Sequence, residues 1–301
     1  MHTIKDISQG VVNGDFLLLA KSISWIENRE LGADEFLESL QPNLVPIIGV
    51  TGPPGAGKST LISSLIEHWV KEGKRVAILS VDPSSPFHKG AILGDRIRMK
   101  DWYMNPNVFI RSLATRGHLG GLINGMIELT TLLQSVGFDV ILIETVGVGQ
   151  SEVEIAGLAD TTIVVLVPEA GDEVQMMKSG LMEIAHIFVV NKSDRPDAEA
   201  FTNHLLHMMR EGLGDAHSIP VVKTIATQQV GIIELAAAIG AQQAAGLSSA
   251  RKKQLLISKL YQIITAHQMR QLDGPKIEND LAIAMQEKHF NIFTFSRKYY
   301  K

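Results

Sequence analysis

An apolar, strand-like run, Leu44-Val45-Pro46-Ile47-Ile48-Gly49-Val50, leads into Gly52-Pro53-Pro54-Gly55-Ala56-Gly57-Lys58-Ser59-Thr60. The second stretch satisfies G-x-x-x-x-G-K-[ST], the pattern of a phosphate-binding loop between a strand and a helix. Glycines let such a loop curl so that backbone N–H groups converge on an anion, and the helix that follows adds its positive end. Lys58 is expected to reach the β- and γ-phosphates and the Ser59 hydroxyl to ligate Mg²⁺, with Gly55, Ala56, Gly57 and Thr60 completing the cradle. The competing reading is a glycine-rich turn that binds nothing. The flanking strand and helix argue against it and imply a nucleoside triphosphate as ligand.

The remaining pattern supports the same fold. From residue 44 to about 240, short apolar runs at 45–50, 75–81, 108–112, 139–144, 161–167, 186–191 and 220–223 alternate with amphipathic stretches. The helical patterns fall at 58–72, 121–136, 152–157, 173–183, 197–211 and 231–242. Strand–helix alternation predicts an α/β fold with a mostly parallel central sheet covered on both faces, and ligand loops at the strands' carboxyl ends. We divide the chain into an N-terminal helical extension (1–43), a P-loop domain (44–246) and a C-terminal helical region (247–301). In the last part a long helix is expected over 249–272, broken by Gly274-Pro275 and followed by a second helix over about 276–289. The apolar stripe of the long helix, with Leu256, Leu260 and Ile264, must be buried either on its own domain or against a second copy.

Composition narrows the function classes. The formal net charge of -4 gives no basic field for nucleic acid. No apolar run reaches the roughly 18 residues that span a bilayer, and Met1–Gln9 lacks the apolar core of a secretory signal, so a cytoplasmic location is expected. The absence of cysteine removes disulfides and thiolate metal sites. The ten histidines are scattered; His204 and His207 share a helical face, for which solvation is the simpler reading than a metal pair.

A second motif selects the base. The run Ile187-Phe188-Val189-Val190 ends in Asn191-Lys192-Ser193-Asp194, the pattern N-K-x-D. A carboxylate in the plane of a purine accepts from guanine N1–H and the 2-amino group, whereas adenine would leave the buried charge unpaired. Asp194 is therefore expected to be a buried acid that selects guanine, with Lys192 along the base and Asn191 tying neighbouring loops together. Thr224-Ile225-Ala226 follows the last strand, either as a second base-contacting loop or as an ordinary strand exit. Asp82 and Glu144 end apolar strands, where an acid is placed for Mg²⁺ or its waters; a helix cap or solvated turn is the alternative. Asp95 lies in a polar segment able to approach the γ-phosphate or to cap a short helix. Gly147 and Gly149 make 144–150 a candidate switch.

With these motifs assembled, the chain resembles the MeaB/ArgK-type GTPases, the G-protein chaperones of adenosylcobalamin-dependent acyl-CoA mutases, also named lysine/arginine/ornithine transport-system kinases. The resemblance rests on GVTGPPGAGKSTL (49–61), VDPSSPF (81–87), GAILGDRIRM (90–99), ETVGVGQSE (144–152), PEAGDEVQMMKSG (168–180) and VVNKSD (189–194). It implies a P-loop GTPase of the signal-recognition-particle-like branch, usually a homodimer joined through C-terminal helices. It further implies Ser59, Asp82, Asp95 and Glu144 around Mg²⁺, switches at 82–99 and 144–150, and a third switch at 168–180. There Gln175 and Lys178 would relay nucleotide state to the mutase. Two departures stand out: His186 where relatives tend to carry an acid, and Ile225 in place of the usual serine. No glutamine follows Glu144-Thr145 closely, which predicts slow intrinsic hydrolysis, with Asp95, and secondarily Lys178, nearest to a catalytic role beside Lys58.

Overall fold

The computed structural model describes residues 4–43, 45–82, 99–114, 125–145, 154–168, 180–213, 219–246, 249–286 and 289–300. The expected strands form a seven-stranded sheet of order β3-β2-β4-β1-β5-β6-β7, in which each neighbouring pair is parallel. The strands are β1 (Ile47–Thr51), β2 (Val76–Asp82), β3 (Val108–Ala114), β4 (Val140–Glu144), β5 (Thr161–Leu166), β6 (Ile187–Asn191) and β7 (Val221–Thr224). Strands β1, β4, β5 and β6 are buried along their whole length, which is why they read as unbroken apolar runs.

The two-residue period of the strands assigns side chains to opposite faces. Ile141 and Ile143 of β4 meet α2 (Phe16–Asn28), α3 (Ala33–Ser39) and α5 (Met126–Gln134) in one apolar cluster; Val140 and Leu142 meet α4 (Lys58–Lys71) and α8 (Ile232–Ala245) in another. A third cluster joins Val164, Phe188 and Val190 to α6 (Leu181–Ile184) and α7 (Ala198–Leu213). Leu19, Ile23 and Phe36 of the N-terminal helices are fully buried, each stabilising by about 1.5–3 kcal/mol. The N-terminal segment is thus a covering layer of the sheet. It begins with α1 (Ile4–Val12) and restarts at α2, where Asp15 accepts from the Leu17 and Leu18 N–H groups at 2.8 and 3.0 Å.

Residues up to Lys252 form one compact unit and Lys253 onward a second. α9 (Ser249–Arg270) ends before Gly274-Pro275, as expected. That pair, however, opens α10 (Gly274–Ala284) rather than lying outside it: Asp273 caps the Lys276 N–H at 3.1 Å, and proline is tolerated in a first turn because the N–H it lacks has no helical partner there. α10 therefore starts and stops earlier than the expected 276–289, and α11 (Ile292–Ser296) follows. The aromatic tail packs Phe295 between Phe290 and Tyr299, and the Tyr299 hydroxyl donates to Asp280 at 2.7 Å. That bond, with burial, pushes the phenol up to about 12. Of the pattern expected at 152–157, a 3-10 turn over Ile155–Gly157 is present; of that at 173–183, the described part is α6. Among the described residues no helix is long and apolar enough to cross a membrane.

Candidate nucleotide site

The chain leaves β1 at Thr51 and enters α4 at Lys58, so the glycine loop sits at the carboxyl end of the sheet, where strand connections reverse direction on either side of β1. Two of its glycines are there for want of space. A Cβ on Gly52 (φ 137°) would collide with the Val165 carbonyl oxygen, and one on Gly57 (φ 85°) would lie 2.5 Å from Asn191 Nδ2. Gly57 is also the N-cap of α4 and provides no side-chain cap, so the amino end of the helix faces the loop. That supplies the donors and positive end that an anion needs. The Lys58 Nζ donates to the Gly52 and Pro53 carbonyls at 2.8 and 3.1 Å, holding the ammonium over the loop.

Asn191 is the hub between this loop and the far side of the sheet. Its Nδ2 donates to the Ala56 carbonyl at 2.8 Å, and its Oδ1 accepts from the Thr224 hydroxyl at 3.0 Å and the Ala226 N–H at 3.3 Å. The expected tying role of Asn191 is therefore visible in the bonds it makes. The same bonds give Thr224-Ile225-Ala226 an internal role: the Ile225 N–H goes to the Val230 carbonyl and the Ala226 N–H to Asn191. Ser64 of α4 donates to the Ala226 carbonyl at 2.7 Å, and Gln229 to Glu67 at 2.8 Å, so the loop is also fastened to the helix below it. Lys192 takes the left-handed conformation (φ 55°), turning the chain sharply after β6.

Asp194 corrects an expectation. It is exposed, not buried. It lies in the turn that follows β6, outside the buried strand.

The carboxylate end of β4 is built differently. Glu144 and Ser59 are both buried, and the Ser59 hydroxyl donates to Glu144 Oε1 at 2.7 Å. Ser80 of β2, buried beside them, lies 3.3 Å from Glu144 Oε2. Thr145 and Thr51 pair hydroxyls at 2.9 Å one step along. This is an all-oxygen donor set, suited to a hard cation. Among the described residues no three His, Cys, Asp or Glu side chains gather to cage a metal. One hydroxyl and one carboxylate fit Mg²⁺, which keeps several waters and takes oxygens from substrate phosphates. Asp82 ends β2, but its side chain lies outside the described residues, as do Asp95, Gln175 and Lys178. Sequence reasoning missed Ser80 and Ser64. Ser80 interrupts the apolar run of a buried strand, which was the available signal.

His186, the departure before β6, serves the sheet. Its Nδ1 accepts from the Thr162 N–H at 3.0 Å. Burial above all, then Arg251, against the opposing pull of Asp160, lowers its pKa to about 4.

Comparison with known proteins agrees with this geometry. Residues 19–273 match the family described as "Methylmalonyl Co-A mutase-associated GTPase MeaB". The GTPase ArgK of Escherichia coli is 36% identical over 265 residues, covering 84% of this chain and 80% of that protein. A Pyrococcus abyssi protein bearing a GTPase name is 46% identical over 239 residues, 77% of this chain and 74% of its own length. The crystal structure of an LAO/AO transport system kinase superposes with a TM-score of 0.66 at 25% identity, covering 98% of this chain and 96% of that one.

Proposed function

The chain belongs to the methylmalonyl-CoA mutase-associated GTPase family MeaB, a family of P-loop GTPases, and from that premise we propose that it is the nucleotide-gated chaperone of an adenosylcobalamin-dependent acyl-CoA mutase. The observation that carries the nucleotide reading is the Asn191 hub, which binds the phosphate loop and the loop after β7 into one frame beside Lys58, Ser59 and Glu144. In that frame Asp194 selects guanine and Lys192 lies along the base. Lys58 leaves the Gly52 and Pro53 carbonyls for the β- and γ-phosphates, and the N–H groups at the start of α4 hold the anion. Ser59 and Glu144, with Asp82 and Asp95, hold Mg²⁺, which when bound neutralises charge on the phosphates. Lys58 stabilises the charge that develops as water attacks in line. Intrinsic turnover is slow, and the partner or a second copy supplies what the site lacks. The exposed apolar side chains of α9, among them Leu256 and Leu260, support a homodimer through the C-terminal helices; the proposed location is the cytoplasm.

The test is phosphate release from GTP and ATP, with and without a purified methylmalonyl-CoA mutase. The expected result is GTP preference and a rate that rises with the mutase. Asp194→Ala should weaken GTP binding at least tenfold and leave ATP binding no weaker, because adenine offers that carboxylate no donor and the penalty of covering it unpaired is removed. Equal use of ATP would instead favour the reading as a kinase linked to amino-acid transport; the LAO/AO structure is named a transport system kinase. A rate indifferent to the mutase would remove the chaperone reading.

A further inference from the structure

We propose that Ser80 is a positioning residue for Glu144: its hydroxyl fixes the carboxylate so that Oε1 is presented to Ser59 and to the cation beside it. The proposal rests on the reading above that Glu144 helps hold Mg²⁺. In the sheet register Ser80 and Glu144 are direct partners across β2 and β4, so both side chains stand on the same face. Ser59 reaches Oε1 at 2.7 Å from α4, and Ser80 lies 3.3 Å from Oε2, from the opposite flank. All three are nearly closed to solvent, with relative exposures of 4%, 1% and 3% for Ser59, Ser80 and Glu144.

The need for such a group follows from the torsion it controls. The last torsion of a glutamate side chain is broad and nearly two-fold, so a single hydrogen bond leaves the carboxylate plane free to turn. The Ser59 hydroxyl is shared with the cation, which it would hold through an oxygen lone pair while donating to Oε1, so its position follows the nucleotide. Ser80 lies on a strand and has no phosphate to serve. A neutral hydroxyl suits this position, since it orients the carboxylate without cancelling the charge that attracts the cation, as a lysine would. Partners behind metal-holding groups commonly change metal affinity by about 10–100-fold. The 3.3 Å separation puts Ser80 at the low end of that range.

The test is affinity for mant-GDP across a Mg²⁺ titration, with an EDTA reference for each variant. Ser80→Ala should raise the Mg²⁺ concentration for half-maximal tightening by about tenfold. Ser80→Cys, nearly isosteric with a weak donor, should shift it the same way by a smaller factor, and it carries the test if Ser80→Ala does not fold. If Ser80 only fills space and satisfies its own hydroxyl, thermal stability falls equally with and without Mg²⁺ and the titration midpoint stays at the wild-type value; that result overturns the proposal. Glu144→Gln separates the two layers. If it leaves the Mg²⁺ dependence intact, the assignment of Glu144 itself is wrong. If it abolishes the dependence while both Ser80 variants match wild type, only the role of Ser80 falls.

Discussion

Truncating Asn191 to alanine removes three hydrogen bonds at once and leaves their partners inside the protein. The Ala56 carbonyl loses a 2.8 Å donor, the Thr224 hydroxyl a 3.0 Å acceptor, and the Ala226 N–H a 3.3 Å acceptor. Ala56, Thr224 and Ala226 are all buried, so the new alanine offers them nothing in exchange. An orphaned buried polar group costs about 1–3 kcal/mol. Counting the two short bonds at the lower half of that range and giving the long one little weight, Asn191→Ala should cost about 2–4 kcal/mol. A water entering the vacated space beside Gly57 would favour the lower figure. With a shift of about 2–4 °C per kcal/mol for a domain of this size, the melting temperature should fall by roughly 4–16 °C. Denaturant midpoints at constant slope give the free energy directly. The same variant should gain less stability from GDP and Mg²⁺, because the loosened loops bind nucleotide more weakly. Asn191→Asp should do no better, since a carboxylate oxygen would then face the Ala56 carbonyl. A loss below about 1 kcal/mol for Asn191→Ala would refute the reasoning, because the hub would not be holding the loops together.

Three further substitutions probe the phosphate loop, the packing behind it and the sheet edge. Lys58→Ala should abolish GTP-dependent protection from trypsin, and the contacts to the Gly52 and Pro53 carbonyls are among those it loses in the free state; unchanged protection would discredit the loop. Gly49→Ala would press a methyl into Ile155 Cγ1 and to 3.0 Å from Ala159 Cβ, and should cost about 1–3 kcal/mol, with the double variant carrying Ile155→Ala, which removes Cγ1, costing less than the sum of the two single changes; a neutral single substitution would show that this packing yields freely. His186 is held neutral in the fold, with its pKa lowered from 6.5 to about 4, so the unfolded chain binds the extra proton first. Its contribution is therefore complete above about pH 6.5 and is lost progressively as pH falls toward 4. Denaturant midpoints for His186→Gln should show a shallower decline across that window, and an unchanged slope would count against the assignment.

What the sequence determined by itself is whatever one segment decides alone. The strands of a parallel sheet buried on both faces must be largely apolar, so apolar runs marked the fully buried β1, β4, β5 and β6 most clearly, and shorter or mixed runs marked the other three strands. The phosphate loop and N-K-x-D are contiguous because one turn must bring several backbone or side-chain groups to one ligand. The membership of the family was legible for the same reason, since its motifs are short and local. Elsewhere the chain's own pattern was less decisive. Gly274-Pro275 reads as a break, yet only the cap from Asp273 shows that the pair begins a helix. Asp194 reads as a buried acid, yet burial depends on what packs above a turn, and the neighbouring residues do not specify that. The tertiary structure alone decided the strand order, and the order decides which distant groups meet. Because β4 lies between β1 and β2, Glu144 falls between Ser59, 85 positions away, and Ser80, 64 positions away. Asn191 likewise reaches back 135 positions to Ala56, because its side chain spans from the end of β6 to the loop that leaves β1. A hydrogen bond senses distance in space, and chain separation carries no record of it until the sheet has closed.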